Sequence, residues 1–136
     1  MSKLKLLGLA LSMVIGLALL AYAANEKVDL NGADLPQGFT VNCKNPGKIC
    51  VTAKPVKGSD DSVGVDITCE EPNGAEDEEL AKKPGKKAKA CVKCDGDAAF
   101  GEIFCQPDVA ACNEDLTAIF KCKGQVDNVS VFDAPY

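Results

Sequence analysis

Residues 38–46 read GFTVNCKNP and residues 64–72 read GVDITCEEP. Gly, Cys and Pro fall at the same offsets in both, and Val41 or Ile67 stands two places before the cysteine. Each stretch alternates apolar and polar side chains, which is the period of a half-buried strand. The proline just beyond ends ladder pairing, because it lacks the amide hydrogen that a neighbouring strand needs. The first copy continues into GKICV (47–51), and the second reaches KACV (89–92) after a long insertion. A shortened third version runs GEIFCQP (101–107) and then FKCK (120–123). The chain therefore contains a unit used three times, near 38–51, 64–92 and 101–123. Each unit is a strand ending in Cys, a turn, and a second strand carrying another Cys.

The same alternation marks strands near 39–43, 48–54, 62–69, 89–94, 101–105, 117–122 and 126–132. Helical patterning is confined to DVAACNEDL (108–116) and AEDEELAKK (75–83). The expected class is all-β: a small disulfide-rich β-sandwich or meander with at most one short helix, near 108–116.

The chain opens with Lys3 and Lys5, an apolar run from Leu6 to Leu20, and the small-x-small triplet Ala21 to Ala23. Residues 1–23 read as a secretory signal peptide, leaving one domain over 24–136. The competing reading is a retained anchor, since Leu4 to Ala24 is just long enough to cross a bilayer. Without the leader, Val, Ile, Leu, Phe and Tyr make up roughly a fifth of the chain, a level at which charged sequences struggle to fold. Loss of Lys3 and Lys5 takes the formal charge from −5 to about −7. This acidity argues against nucleic acid as a partner, because phosphate contacts require a positive face.

All eight cysteines, Cys43, Cys50, Cys69, Cys91, Cys94, Cys105, Cys112 and Cys122, lie in the exported part. An even number bound for an oxidising compartment reads as a disulfide framework. The repeat suggests a bond across each turn: Cys43 with Cys50, Cys69 with Cys91, and Cys105 with Cys122, leaving Cys94 for Cys112. A rival arrangement makes hairpins of KICVTAK with SVGVDITC and of KACVKC with GEIFC, which sets Cys91 almost opposite Cys105. Zinc bound by Cys91, Cys94, Cys105 and Cys112 has tolerable spacing, but export favours disulfides. CVKC (91–94) lies in strand-like sequence, away from the helix N-terminus that activates a redox dithiol. No metal or cofactor is expected.

The insertion at 70–90 carries six acids, then Lys82, Lys83, Lys86, Lys87 and Lys89, with almost nothing apolar between. It reads as a charged, mobile loop, and its lysines form a candidate partner-docking or protease-bait surface. DGDAAFGE (95–102) resembles a shortened calcium loop but lacks the ligand frame, and a turn is the simpler reading. Asn128 heads an N-x-S glycosylation sequon, usable if it escapes the final strand. Phe39, Phe100, Phe104, Phe120 and Phe132 are too few for an aromatic platform, and most are expected inside.

Without histidine, a serine or cysteine nucleophile lacks its usual base, and the carboxylates lie in polar runs. The expectation is a secreted or cell-surface, non-enzymatic binding or structural protein. In a bacterium it would be periplasmic or on the cell surface. Its partner would be a protein or a cell-surface component, and the mature form would not be in the membrane. A secreted effector acting on another organism and a protease inhibitor with a Lys-rich bait loop are the alternatives.

Overall fold

The computed structural model describes residues 25–106 and 111–134. The leader and part of the 108–116 segment lie outside the described residues. Nine strands follow in order: β1 (Asn25–Leu30), β2 (Gln37–Cys43), β3 (Gly47–Pro55), β4 (Val63–Cys69), β5 (Glu76–Leu80), β6 (Ala88–Cys94), β7 (Ala98–Cys105), β8 (Leu116–Cys122) and β9 (Val126–Asp133). A 3₁₀ turn at Gly32–Asp34, capped by the Asn31 side chain, links β1 to β2. The strands form two antiparallel sheets, ordered β1-β8-β3-β6 and β5-β4-β7-β2-β9. Among the described residues there is no α-helix, and none long and apolar enough to cross a membrane.

The first strands of the three units, β2, β4 and β7, lie side by side in the five-stranded sheet. Their second strands, β3, β6 and β8, lie side by side in the four-stranded sheet. Each unit thus contributes one strand to each layer, and its turn crosses between sheets. Gly38 and Gly64 point outward beneath the rings of Phe132 and Phe104, where a Cβ would collide with them. The third unit has one residue fewer between Gly and Cys, and a one-residue change reverses the face. Gly101 accordingly points inward, where a Cβ would meet the Asp66 carbonyl and the Phe39 ring.

Between the sheets, alternate residues are buried completely, among them Phe39, Val41, Ile49, Val51, Val65, Ile67, Ile103 and Phe120. Ala53, Ala88, Ala90, Ala99 and Ala118 make room for them. The Phe39 and Phe120 rings meet across the layers edge to face, centroids 5.2 Å apart.

All eight cysteines are bonded, but not as the repeat suggested: the pairs are Cys43–Cys122, Cys50–Cys91, Cys69–Cys94 and Cys105–Cys112. The physical reason is which face each strand turns to the core. Cys43 ends β2 pointing inward, whereas Cys50 lies on the outer face of β3, directly opposite Cys91 in the β3–β6 ladder. With Cα atoms 4.1 Å apart, those two bond to each other. Cys94, three residues further along β6, points inward and joins the sheets through Cys69. Cys43 joins them again through Cys122. The rival hairpins do not form either, because β3 and β4, like β6 and β7, belong to different sheets.

The strand expectations miss β1 and β5. The 75–83 segment, read as helical, instead contains β5, which pairs with β4 from Gly64↔Leu80 to Thr68↔Glu76. It has no apolar stripe to bury as a helix, while its alternate carboxylates have backbone donors to satisfy. Asp77 and Glu79 accept from the Cys91 and Lys89 amides, at 3.0 and 2.6 Å, along the free edge of β6. Residues 111–115 form no helix, and Leu116 opens β8.

Replacing Asp77 and Glu79 by alanine should leave the ladders intact and open this seam. Hydrogen exchange at the Lys89 and Cys91 amides is expected to speed up on the order of tenfold, the equivalent of one lost hydrogen bond. Unchanged exchange would show that these carboxylates do not hold the edge.

Candidate binding groove

The outer face of the five-stranded sheet follows from the parity of its strands. Because Ile67, Ile103 and Val41 point inward, Asp66, Thr68, Phe100, Glu102 and Gly38 point outward. Ladder register sets Glu78 opposite Asp66, Asp66 opposite Glu102, Glu102 opposite Gly38, and Gly38 opposite Phe132. One cross-strand row therefore holds three carboxylates followed by an aromatic ring lying over a glycine. In the next row Glu76 faces Thr68 and Thr68 faces Phe100. Together these residues line an open groove of about 730 Å³ that contains no lysine.

Asp66 is the most constrained of the carboxylates. Burial pushes its carboxyl above the ordinary range, and the neighbouring charges of Glu102, Glu78 and Glu76 push the same way. The Glu102 amide, which donates to Asp66 Oδ1 at 2.8 Å, opposes them. Like charges facing one another across a sheet cost stability, so the row favours whatever brings positive charge to it. Phe100 and Phe132 are each 45% exposed, with ring faces available to an aliphatic stem or a cation.

The expectation that most phenylalanines sit inside is corrected here. Phe39 and Phe120 are buried, Phe104 is half-buried over Gly64, and Phe100 and Phe132 face the groove. The sequence carried the signal: once Ile103 and Cys105 point inward, Phe100, Glu102 and Phe104 must point outward.

The other sequence candidates lie elsewhere. Lys82, Lys83, Lys86 and Lys87 are exposed on the connection from β5 to β6, outside the groove. There the Lys86 amide donates to the Lys83 carbonyl at 3.2 Å, and Gly85, at φ +76°, donates to the Asp61 carbonyl at 2.7 Å. Lys83 and Lys86 are thus the corners of a closed turn whose glycine abuts Ser59. Lys89 belongs to β6. Asn128 lies within β9, exposed, its side-chain oxygen accepting from Asn42 at 3.0 Å.

Two sets of ligand-type side chains come together, Asp61 with Cys105 and Cys112, and Glu71 with Cys69 and Cys94. In each, the two sulfurs are bonded to one another. The four cysteines considered for zinc are spread over three disulfides. The carboxylates instead pin backbone. Asp61 accepts from the Asn113 and Glu114 amides, at 3.2 and 2.8 Å. Glu71 accepts from the Asp95 and Gly96 amides at 2.7 and 3.2 Å, holding the turn at the head of the 95–102 segment. Amide donors from its own segment and from this turn keep the Glu71 carboxyl below its usual range.

No known protein family matches the chain, and no curated protein does. Several solved structures resemble it remotely. A 4-keto-6-deoxy sugar epimerase of Streptomyces spheroides aligns over 76% of this chain and 46% of its own, with 13% identity and a TM-score of 0.43. A dTDP sugar isomerase of Desulfovibrio desulfuricans aligns over 84% of this chain and 65% of its own, with 10% identity and a TM-score of 0.43. The Yersinia pseudotuberculosis-derived mitogen aligns over 82% and 95% of the two chains, with 11% identity and a TM-score of 0.45. The chain thus spans about half of the epimerase and under two thirds of the isomerase. At these scores the likenesses carry no functional inference.

Proposed function

We propose that the chain is an exported, non-enzymatic binding protein, and that the groove receives lysine or arginine side chains from an extended basic segment of a partner protein. The observation that carries this reading is the row Glu78–Asp66–Glu102, with exposed Phe132 at its end and exposed Phe100 in the next row, in a groove without lysine. Each incoming ammonium or guanidinium relieves repulsion among the carboxylates, while its aliphatic stem covers Phe100 or Phe132. The four disulfides fit an oxidising, extracellular setting. A basic segment on the producer's own envelope makes the protein a surface component. One on another cell makes it an effector.

Titration calorimetry with octalysine, octaglutamate and a neutral oligosaccharide tests the reading. Octalysine alone should bind, and affinity should fall with added salt because the groove is open to solvent. The double variant Asp66→Asn, Glu78→Gln should bind roughly tenfold or more weakly. Acid should weaken binding through Asp66. Its raised carboxyl takes a proton at a higher pH than an ordinary aspartate, so binding declines as pH falls through that point. Binding of the oligosaccharide instead, or octalysine affinity indifferent to the two substitutions, would overturn the assignment.

A further inference from the structure

The sandwich has a second outer face, and strand parity fixes what it carries just as it does for the groove. In the four-stranded sheet Ile49, Val51, Val92, Ala118 and Phe120 point inward. Lys48, Lys54, Lys89, Lys93 and Lys121 therefore point outward, all of them exposed. Lys27 joins them from β1, where Val28 turns to the core. Ladder register sets Lys48 opposite Lys93, and Lys121 opposite Cys50 in the next row. Among the described strand residues, alternation places one carboxylate on this face: Asp29, at the β1 edge, which accepts from the Thr117 hydroxyl at 3.1 Å. Asp77 and Glu79 flank the opposite edge, where they accept the Cys91 and Lys89 amides. The two outer faces of one molecule thus carry opposite charge, lysines on one and the carboxylate row on the other.

We propose that the basic partner of the groove is a second copy of this chain, whose lysine face seats on the acidic face of the first. This rests on the reading of the groove as a receptor for cationic side chains, and it names the partner. Each face alone sets like charges opposite one another, Lys48 against Lys93 and Asp66 against both Glu78 and Glu102, at a cost to stability. One contact relieves both. Strands in either sheet stand about 4.8 Å apart, so Lys93 and Lys48 project at the interval of neighbouring carboxylates in the row Glu78–Asp66–Glu102. Ile119, half-buried between Lys27 and Thr52, gives the lysine face apolar surface to set against exposed Phe100 or Phe132.

Because the two faces lie on opposite sides of the sandwich, a pair of copies cannot satisfy both. An acidic face remains free at one end and a basic face at the other, so association is head to tail and open. Four strands of about seven residues present roughly 20 Å by 20 Å, at the small end of specific interfaces. The assembly is therefore weak and depends on concentration.

Sedimentation velocity on the purified, oxidised protein should show a mean size that rises with concentration past the dimer and falls with added salt. The groove variant Asp66→Asn, Glu78→Gln and the lysine-face variant Lys48→Gln, Lys93→Gln, Lys121→Gln should each associate with themselves roughly tenfold or more weakly. Mixed, they should form a one-to-one complex that grows no further, since each retains the face the other has lost. A folding defect would not give that result. Octalysine should bind the lysine-face variant as it binds the wild type, and should disperse wild-type assemblies. A wild-type chain monomeric at every concentration, or a mixture that forms no complex, would overturn the proposal while octalysine binding left the groove reading standing. Failure of octalysine to bind would remove both. Monomers that attach to phosphatidylglycerol vesicles through the same lysines would likewise overturn it, giving that face to a lipid surface.

Discussion

Replacing Cys43 and Cys122 together by alanine is expected to cost about 4 kcal/mol, a large share of the stability of a domain this size. These cysteines stand 79 residues apart and tie β2 in one sheet to β8 in the other. On the chain-entropy account, the bond restricts the unfolded ensemble by closing a loop that spans most of the described chain. Cys105 and Cys112 are separated by 7 residues and close a local loop before β8. Their removal should cost about 2.5 kcal/mol on the same account. Urea unfolding of the two double variants, under non-reducing conditions and with the remaining three bonds verified, tests the order. Equal losses, or a greater loss for the short loop, would mean that native packing rather than chain entropy governs what each bond contributes.

That prediction depends on pairings that the sequence alone did not yield, and the reason lies in particular residues. Alternation around Val41, Ile67 and Ile103 is enough to place β2, β4 and β7 and to assign their inward faces. It says nothing about which sheet a following strand joins. Cys43 and Cys50 look like neighbours across a turn, but the turn crosses between layers and the two point to opposite sides. Cys91 and Cys94 look like one motif, yet an odd separation in a strand sends them to opposite faces and to different partners. The groove was hidden for a related reason. Glu78, Asp66 and Glu102 come from three segments, and only the neighbour order β5-β4-β7 aligns them. β5 itself gave no hydrophobic signal, since Asp77 and Glu79 serve backbone amides on β6 instead of packing into the core.

Phe120→Ala should be as damaging as loss of the long-range disulfide, at about 3–5 kcal/mol, because the ring is fully buried and its removal leaves a cavity between rigid sheets. Its contact with Phe39 adds a directional component, and a double-mutant cycle with Phe39→Ala should return about 1 kcal/mol of coupling. Phe39 and Cys43 both lie on β2, and Phe120 and Cys122 both lie on β8. Ring pair and disulfide therefore brace the same two strands across the same interior. With the bond in place, Cys43 and Cys122 fix the spacing of β2 and β8 beside the deleted Phe120 ring, and the cavity is held open. Without it, β8 can settle towards β2. The triple variant Phe120→Ala, Cys43→Ala, Cys122→Ala should consequently lose less than the sum of its parts, with a shortfall on the order of 1 kcal/mol. Strict additivity in urea unfolding would show that sulfur and aromatic core act independently. A loss greater than additive would mean that the bond is what allows the weakened core to pack at all.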